Sequence, residues 1–592
     1  MDLMTSARNP ESVAPRSAAE PFALAGTIGL YEQPQGRAHS TAVLFCNPWG
    51  LEDMCTRRMR RIIAETLGDA GIGSFRFDYP GTGNALDEAA AVLGFESWIL
   101  AFEAAADELK RLSNCQSIIV IAQGVGALVA ASACQRRQDI GAIALLAPAV
   151  TGRSFVRELS MMSHVVREKL EVELPEPQAD GLSIAGLDLP AKIVNDLKKI
   201  SLTKMEGFRP ARAIVFKREE NPGDQDLAAD LEARGCATTV RNFTSYETLT
   251  TDPTVASVPQ DVVDQLISWV QDCISSETRQ AATAQRTTGL NSESHFSERP
   301  LRFGNEQRLF GILCTPSPDI PKRNATVLLI SAGYEPMWGW ARTSVRLARS
   351  LAKEGISSLR FDCANIADSP SAPQSEAQVL YSEKQVLDVA EAVKLIKSEQ
   401  PDHAIIATGR CSAAYLGFRS ALAIADLDGA VIVNPLVFEW PQGKSVDEAL
   451  RSPLDRSADH YYARLRQKGA WQRVLRGEVD VAGKLKQVVR AGVRAAASPV
   501  AHLVGGLNRR ERSVYAAFRA LARRSTLLTL IYSENDVGLV EFNHFFQKGG
   551  ERLKSYANVD YKIVEKADHN FTPPHAFESY RMELLEMVHK LS

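Results

Sequence analysis

A chain of 592 residues is too long to pack around one ordinary core, and at roughly 100–200 residues per domain it divides into several units or two large ones. With 45% hydrophobic and 23% charged residues the composition excludes a disordered polyelectrolyte, and a formal net charge of -3 argues against a surface given over to nucleic acid, which needs concentrated Lys and Arg. Nine irregularly spaced cysteines, with no tight Cys-x-x-Cys pair and no His/Cys cluster at zinc-ligand spacing, give neither a disulfide framework nor a metal centre, and nothing calls for an organic cofactor.

The first 20 residues read as a flexible N-terminus without the basic start and apolar run of a secretory signal. No stretch reaches the roughly 20 apolar residues that cross a bilayer, so the expectation is a cytoplasmic protein whose thiols stay reduced. From there the chain repeats itself. The apolar strand "TAVLFCNPWG" at 41–50 matches "TVLLISAGYE" at 326–335, and "GIGSFRFDYPGTG" matches "GISSLRFDCANIA", which sets Asp78 and Asp362 284 residues apart in the same local setting. Ile118 of "SIIVIAQGVG" then lines up with Ile405 of "AIIATGRCSA", 287 residues on. Between the matched strands lie helical patterns such as "RRMRRIIAETLGDAG" and "ARTSVRLARSLAKEG", apolar at three- and four-residue intervals and closed by glycine.

Short apolar strands alternating with such helices predict parallel sheets covered on both faces. The expected architecture is therefore two tandem α/β domains, at 21–274 and 301–592, joined by a polar Ser/Thr-rich linker at 275–300. Each carries a helical cap insertion, about 151–206 in the first and about 437–525 in the second. The second cap includes the basic stretch "YYARLRQKGAWQRVLRGEVDVAGKLKQVVRAGVRAA", which reads as a solvated face, as a grip on an anionic substrate or partner, or as a membrane-surface helix.

In "TGRCSAA" a strand turns sharply into a helix, the geometry of a nucleophile elbow, with Gly409 as the elbow glycine, Cys411 at the nucleophile position and Ala413 where a second glycine is usual. A helix N-terminus and a neighbouring imidazolium both lower a thiol's pKa. Asp536 ends "LLTLIYSEND", just beyond a strand, and His569 lies in "YKIVEKADHNFTPP", just past another, in the order nucleophile, acid, histidine with separations of 125 and 33 residues. The plainer alternatives are a small core residue for Cys411, a surface-loop histidine for His569, and a helix cap for Asp536 with Glu534 or Asp568 in its role. Oxyanion donors would be the backbone N–H of Ser412 and of Tyr334 or Glu335, and Trp338 and Trp340 either line an acyl pocket or pack under the cap. In the first half Gly124 stands in place of Cys411, Glu220 opposite Asp536, and Glu247 or Tyr246 opposite His569, so that copy lacks both nucleophile and imidazole.

Together the halves resemble the α/β-hydrolase superfamily, and "GRCSAA" with Cys411 looks like its cysteine-nucleophile members, dienelactone hydrolase and the hydrolases of exosortase and exopolysaccharide gene clusters. That resemblance implies a Cys411–His569–Asp536 triad acting on esters, lactones or thioesters. The expectation is a cysteine-dependent acyl-ester or thioester hydrolase working through an acyl-cysteine, on a substrate that is free, carrier-linked or CoA-linked. An acyltransferase of lipid, polysaccharide or natural-product assembly and a non-catalytic scaffold are the alternatives.

Overall fold

The computed structural model describes residues 18–169, 172, 180–219, 221–274, 278–280, 290–372, 379–440, 446 and 509–591. Runs such as Thr41–Cys46 are buried along their whole length, which only a sheet covered on both faces allows. They assemble the first sheet from β1 (Glu20–Leu24), β2 (Thr27–Glu32), β3 (Thr41–Cys46), β4 (Ser74–Phe77), β5 (Ser117–Gln123), β6 (Ile140–Leu146), β7 (Arg212–Lys217) and β8 (Ala237–Asn242). Their lateral order is β1-β2-β4-β3-β5-β6-β7-β8. The β1/β2 and β2/β4 pairs are antiparallel and every later pair is parallel.

The second half repeats this plan with one further edge strand. Its strands are β9 (Asn291–Glu293), β10 (Phe296–Phe303), β11 (Leu309–Pro316), β12 (Ala325–Ile330), β13 (Ser357–Asp362), β14 (Ala404–Arg410), β15 (Gly429–Val433), β16 (Leu527–Ser533) and β17 (Val559–Val564). The order is β9-β10-β11-β13-β12-β14-β15-β16-β17. The chain is thus two tandem α/β domains, as the alternation of strands and helices predicts, each with the α/β-hydrolase plan that the resemblance implies. Between β6 and β7 the chain forms the helix Gly152–Lys169, a two-stranded hairpin (Leu182–Ile184 with Leu187–Leu189) and the helix Ala191–Leu197. Of the second insertion, the basic stretch and most of the cap lie outside the described residues.

The halves are packed together. Ala19, Ile28 and Leu30 of the first form one apolar cluster with Phe310, Ile312 and Met337 of the second. Beside it, Asp368 accepts hydrogen bonds from Arg57 Nε at 2.5 Å and Arg76 Nη1 at 2.8 Å, all three side chains being buried. Arg57 also donates to Asp78 at 2.6 Å. Burial alone would raise the Asp368 carboxyl, but the guanidinium groups of Arg57 and Arg76 hold it below the ordinary range. Asp362, buried and facing Asp368, is held up instead.

Candidate active site

β14 ends at Arg410, and Cys411, the next residue, takes φ 55 and ψ -121 before the helix α1 (Ser412–Ala423) begins. A residue with a side chain adopts a positive φ only where its surroundings force it. Here the Cys411 N–H is fixed to the carbonyl of Val433 at 2.9 Å. The turn is also tightly packed from below: a Cβ on Gly409 would lie 2.6 Å from the Ala413 methyl and 2.9 Å from the Ile330 carbonyl oxygen. Gly409 therefore leaves the room that Ala413 fills.

Two further loops reach this edge of the sheet, one after β16 and one after β17. His569 Nδ1 and Asp536 Oδ2 are 2.6 Å apart. The other oxygen of Asp536 accepts from the Gly538 N–H at 2.8 Å, so the residue holds the following helix and the imidazole at once. Its carboxylate is 2% exposed, whereas the imidazole is 37% exposed and open to a substrate. Burial works to lower the pKa of His569, but the hydrogen bonds to Asp536 and to the Cys411 side chain outweigh it, and the group is pushed up to about 10. Glu534 is exposed, and Asp568 is spent on the N–H and hydroxyl of Thr572 at 2.6 and 2.8 Å.

Asn434 and Ser533 hold these loops in register, and the sequence offered no motif for either. Asn434 Nδ2 donates to Ser533 Oγ at 2.7 Å and to the His569 carbonyl at 3.0 Å, while its Oδ1 accepts from the Ser533 N–H at 2.8 Å. The only local signal is an asparagine directly after the strand "GAVIV", where it adopts φ 47.

The loop after β12 lies against the elbow. The Gly333 N–H donates to Ser412 Oγ at 2.7 Å, and Arg410 pairs with the Glu335 carboxylate. The Glu335 N–H donates to the Ala332 carbonyl at 3.0 Å, and the Tyr334 hydroxyl accepts from the Val379 N–H at 3.4 Å. Trp338 is buried with the Arg57 guanidinium 4.2 Å from its ring centroid, and Trp340 Nε1 donates to the Ala185 carbonyl at 2.8 Å. Both tryptophans thus meet the first half. In that half Gly124 sits at φ 54, the Tyr246 hydroxyl donates to Glu52 at 3.1 Å, Glu247 is exposed, and Glu220 lies outside the described residues.

The family model of the serine aminopeptidases, S33, matches residues 39–202. Solved structures similar to the chain include an esterase of Pyrococcus furiosus at 17% identity and TM-score 0.31, covering 50% of this chain and 91% of its own. A lidless α/β serine hydrolase of Xanthomonas campestris matches at 11% identity and TM-score 0.28, covering 50% and 94%. A serine hydrolase homologue of Coxiella burnetii matches at 12% identity and TM-score 0.26, covering 53% and 100%. No curated protein matches the chain.

These findings correct the narrower expectation. The family model that matches, over residues 39–202, is one of serine hydrolases, and it overturns the resemblance to cysteine-nucleophile members and with it the cysteine-dependent ester or thioester hydrolase and its acyl-cysteine intermediate. The acyltransferase alternative relied on the same acyl-cysteine and goes with it. The physical reason is that the elbow selects for a small side chain that tolerates positive φ, a demand a thiol meets as well as a hydroxyl, so Cys411 alone identifies no family. Among the described residues no helix is long and apolar enough to cross a membrane.

Proposed function

We propose that the second half hydrolyses carboxylic esters at the edge of its sheet where residue 411, His569 and Asp536 meet. What carries the reading is the 2.6 Å contact between His569 and a nearly inaccessible Asp536 carboxylate, held beside the strained turn. Ester hydrolysis adds one water across the acyl C–O bond, placing hydroxyl on the acyl carbon and a proton on the departing alkoxide. His569, which carries its proton at neutral pH, delivers that proton to the departing alkoxide and is reprotonated by the water that adds to the acyl carbon, and Asp536 fixes the ring so that Nε2 faces the reacting atoms. The N–H groups of Ser412 and Tyr334 are the proposed donors to the developing oxyanion, each worth about 2.7–4 kcal/mol in such sites. All nine cysteines are free, which suits the cytoplasmic setting that is part of the same proposal.

The test is hydrolysis of p-nitrophenyl acetate and butyrate by the full chain. His569→Ala should lower kcat/KM by roughly 10²–10⁴-fold, the range proton-transfer groups supply. Unchanged hydrolysis in that variant would place the activity elsewhere.

A further inference from the structure

The first half keeps a cavity at the place where the second half has its candidate site. It measures about 250 Å³ and is walled by Trp49, Phe155, Ile184, Leu187 and Tyr246. Gly124, at the elbow position, lies on its floor beside Glu52, from the first turn of the helix Leu51–Asp69. A Cβ on Gly124 would lie 2.5 Å from Glu52 Oε2, so the glycine is what allows the carboxylate to occupy the space that an elbow side chain would fill. Glu52 Oε1 is held there by Gln123 Nε2 at 3.0 Å and the Tyr246 hydroxyl at 3.1 Å. The elbow has exchanged a side chain for a fixed carboxylate.

The charges around the cavity do not cancel. Arg218 lines it, but its guanidinium is taken up by Asp224, through Nη2 at 2.9 Å and Nε at 3.1 Å. Arg60, the other cation near Glu52, is paired with Asp53. Glu158 adds a second carboxylate at the exposed mouth. An anionic guest would face both carboxylates, and a wholly apolar one would strip water from Glu52 without a counter-charge. An ammonium group satisfies Glu52 and meets the aromatic faces of Trp49, Phe155 and Tyr246 favourably.

We propose that this cavity binds a small amphiphile with a primary ammonium head and an apolar tail, the head on Glu52 and the tail against Trp49, Phe155 and Leu187. The volume, at the low end for small-molecule sites, limits the guest to about the size of a six-carbon amine. Burial pushes Glu52 up to about 7, against the opposing pull of Gln123, Tyr246, Arg218 and Arg60, so a cation arriving beside it completes its ionisation. The site stands apart from His569 and does not depend on the ester-hydrolase reading.

Isothermal titration of the full chain with n-hexylammonium at pH 8, beside 1-hexanol and hexanoate, tests this. Hexylammonium should bind once per chain, at least about tenfold more tightly than either comparator, and Glu52→Gln should weaken it by about tenfold or more. Leu159→Trp, which fills the cavity and leaves Glu52 in place, should also abolish binding. Absence of hexylammonium binding, equal affinity for hexanol, or binding that survives in either folded variant would overturn the proposal.

Discussion

Arg76 of the first half donates to Asp368 of the second at 2.8 Å, and both side chains are buried. Arg360, which stands 284 residues after Arg76, donates to Asn84, which stands 284 before Asp368, at 3.0 Å. Each half thus offers the same strand arginine to the same loop of the other. This is the self-complementary pattern of a two-fold dimer, here within one chain. The loops are themselves held alike, since Asp78 accepts from the Asn84 N–H at 2.9 Å and Asp362 from the Asp368 N–H at 3.2 Å.

Removing the shared acid should therefore strand the buried Arg76 guanidinium and leave Arg57 to Asp78. Asp368→Ala is expected to cost about 3–5 kcal/mol, the range for breaking a buried ion pair, measured as a lowered denaturant midpoint. The wild-type contribution has a defined pH sense. Because the folded-state pKa is depressed, the stabilisation is complete above the unfolded value of about 3.9 and is lost as pH falls below it. Asp368→Ala should flatten that part of the acid-denaturation curve.

His569 should keep its proton through neutral pH. Its folded value near 10 lies above the unfolded value of about 6.5, so its contribution to stability is complete below about 6.5 and disappears as pH rises through about 10. Histidine-selective NMR should show one ring titrating far above the others. In Asp536→Asn that titration should move down, because burial then has less to oppose it.

Cys411→Ser puts a hydroxyl at the elbow without altering its shape. A fluorophosphonate is expected to label this variant, and labelling should vanish when His569→Ala is added, as read by intact mass. Labelling that persists without the imidazole would mean that the elbow and His569 do not act together.

Gly409→Ala should disturb the turn itself. The added methyl would meet Ala413 at 2.6 Å and backbone at 2.9 Å, an overpacking expected to cost about 1–3 kcal/mol. Thermal unfolding measures the loss, and ester hydrolysis should fall with it.

Much of the frame was legible because strand and helix periodicities are local. "TAVLFC" and "ATVLLI" announce buried parallel strands wherever they occur, and the glycine, small side chains and following helix around residue 411 mark a tight turn from seven residues. Asp536 and His569 could be picked out because each follows a strand whose end must lie on one edge of the sheet. Cys411 misled where a single side chain was read as a family label.

What the sequence determined by itself was the repeat, the order of strands and helices, and which residues stand at strand ends, because hydrophobic period and turn chemistry act over a few neighbouring positions. Only the tertiary structure decided that Arg76 meets Asp368 across 292 residues, that Trp338 and Trp340 face the first half, and that Glu52 lies over Gly124. Those pairings depend on how two finished sheets and their loops fit together, and a charged or aromatic residue carries no local mark of the partner that burial will give it.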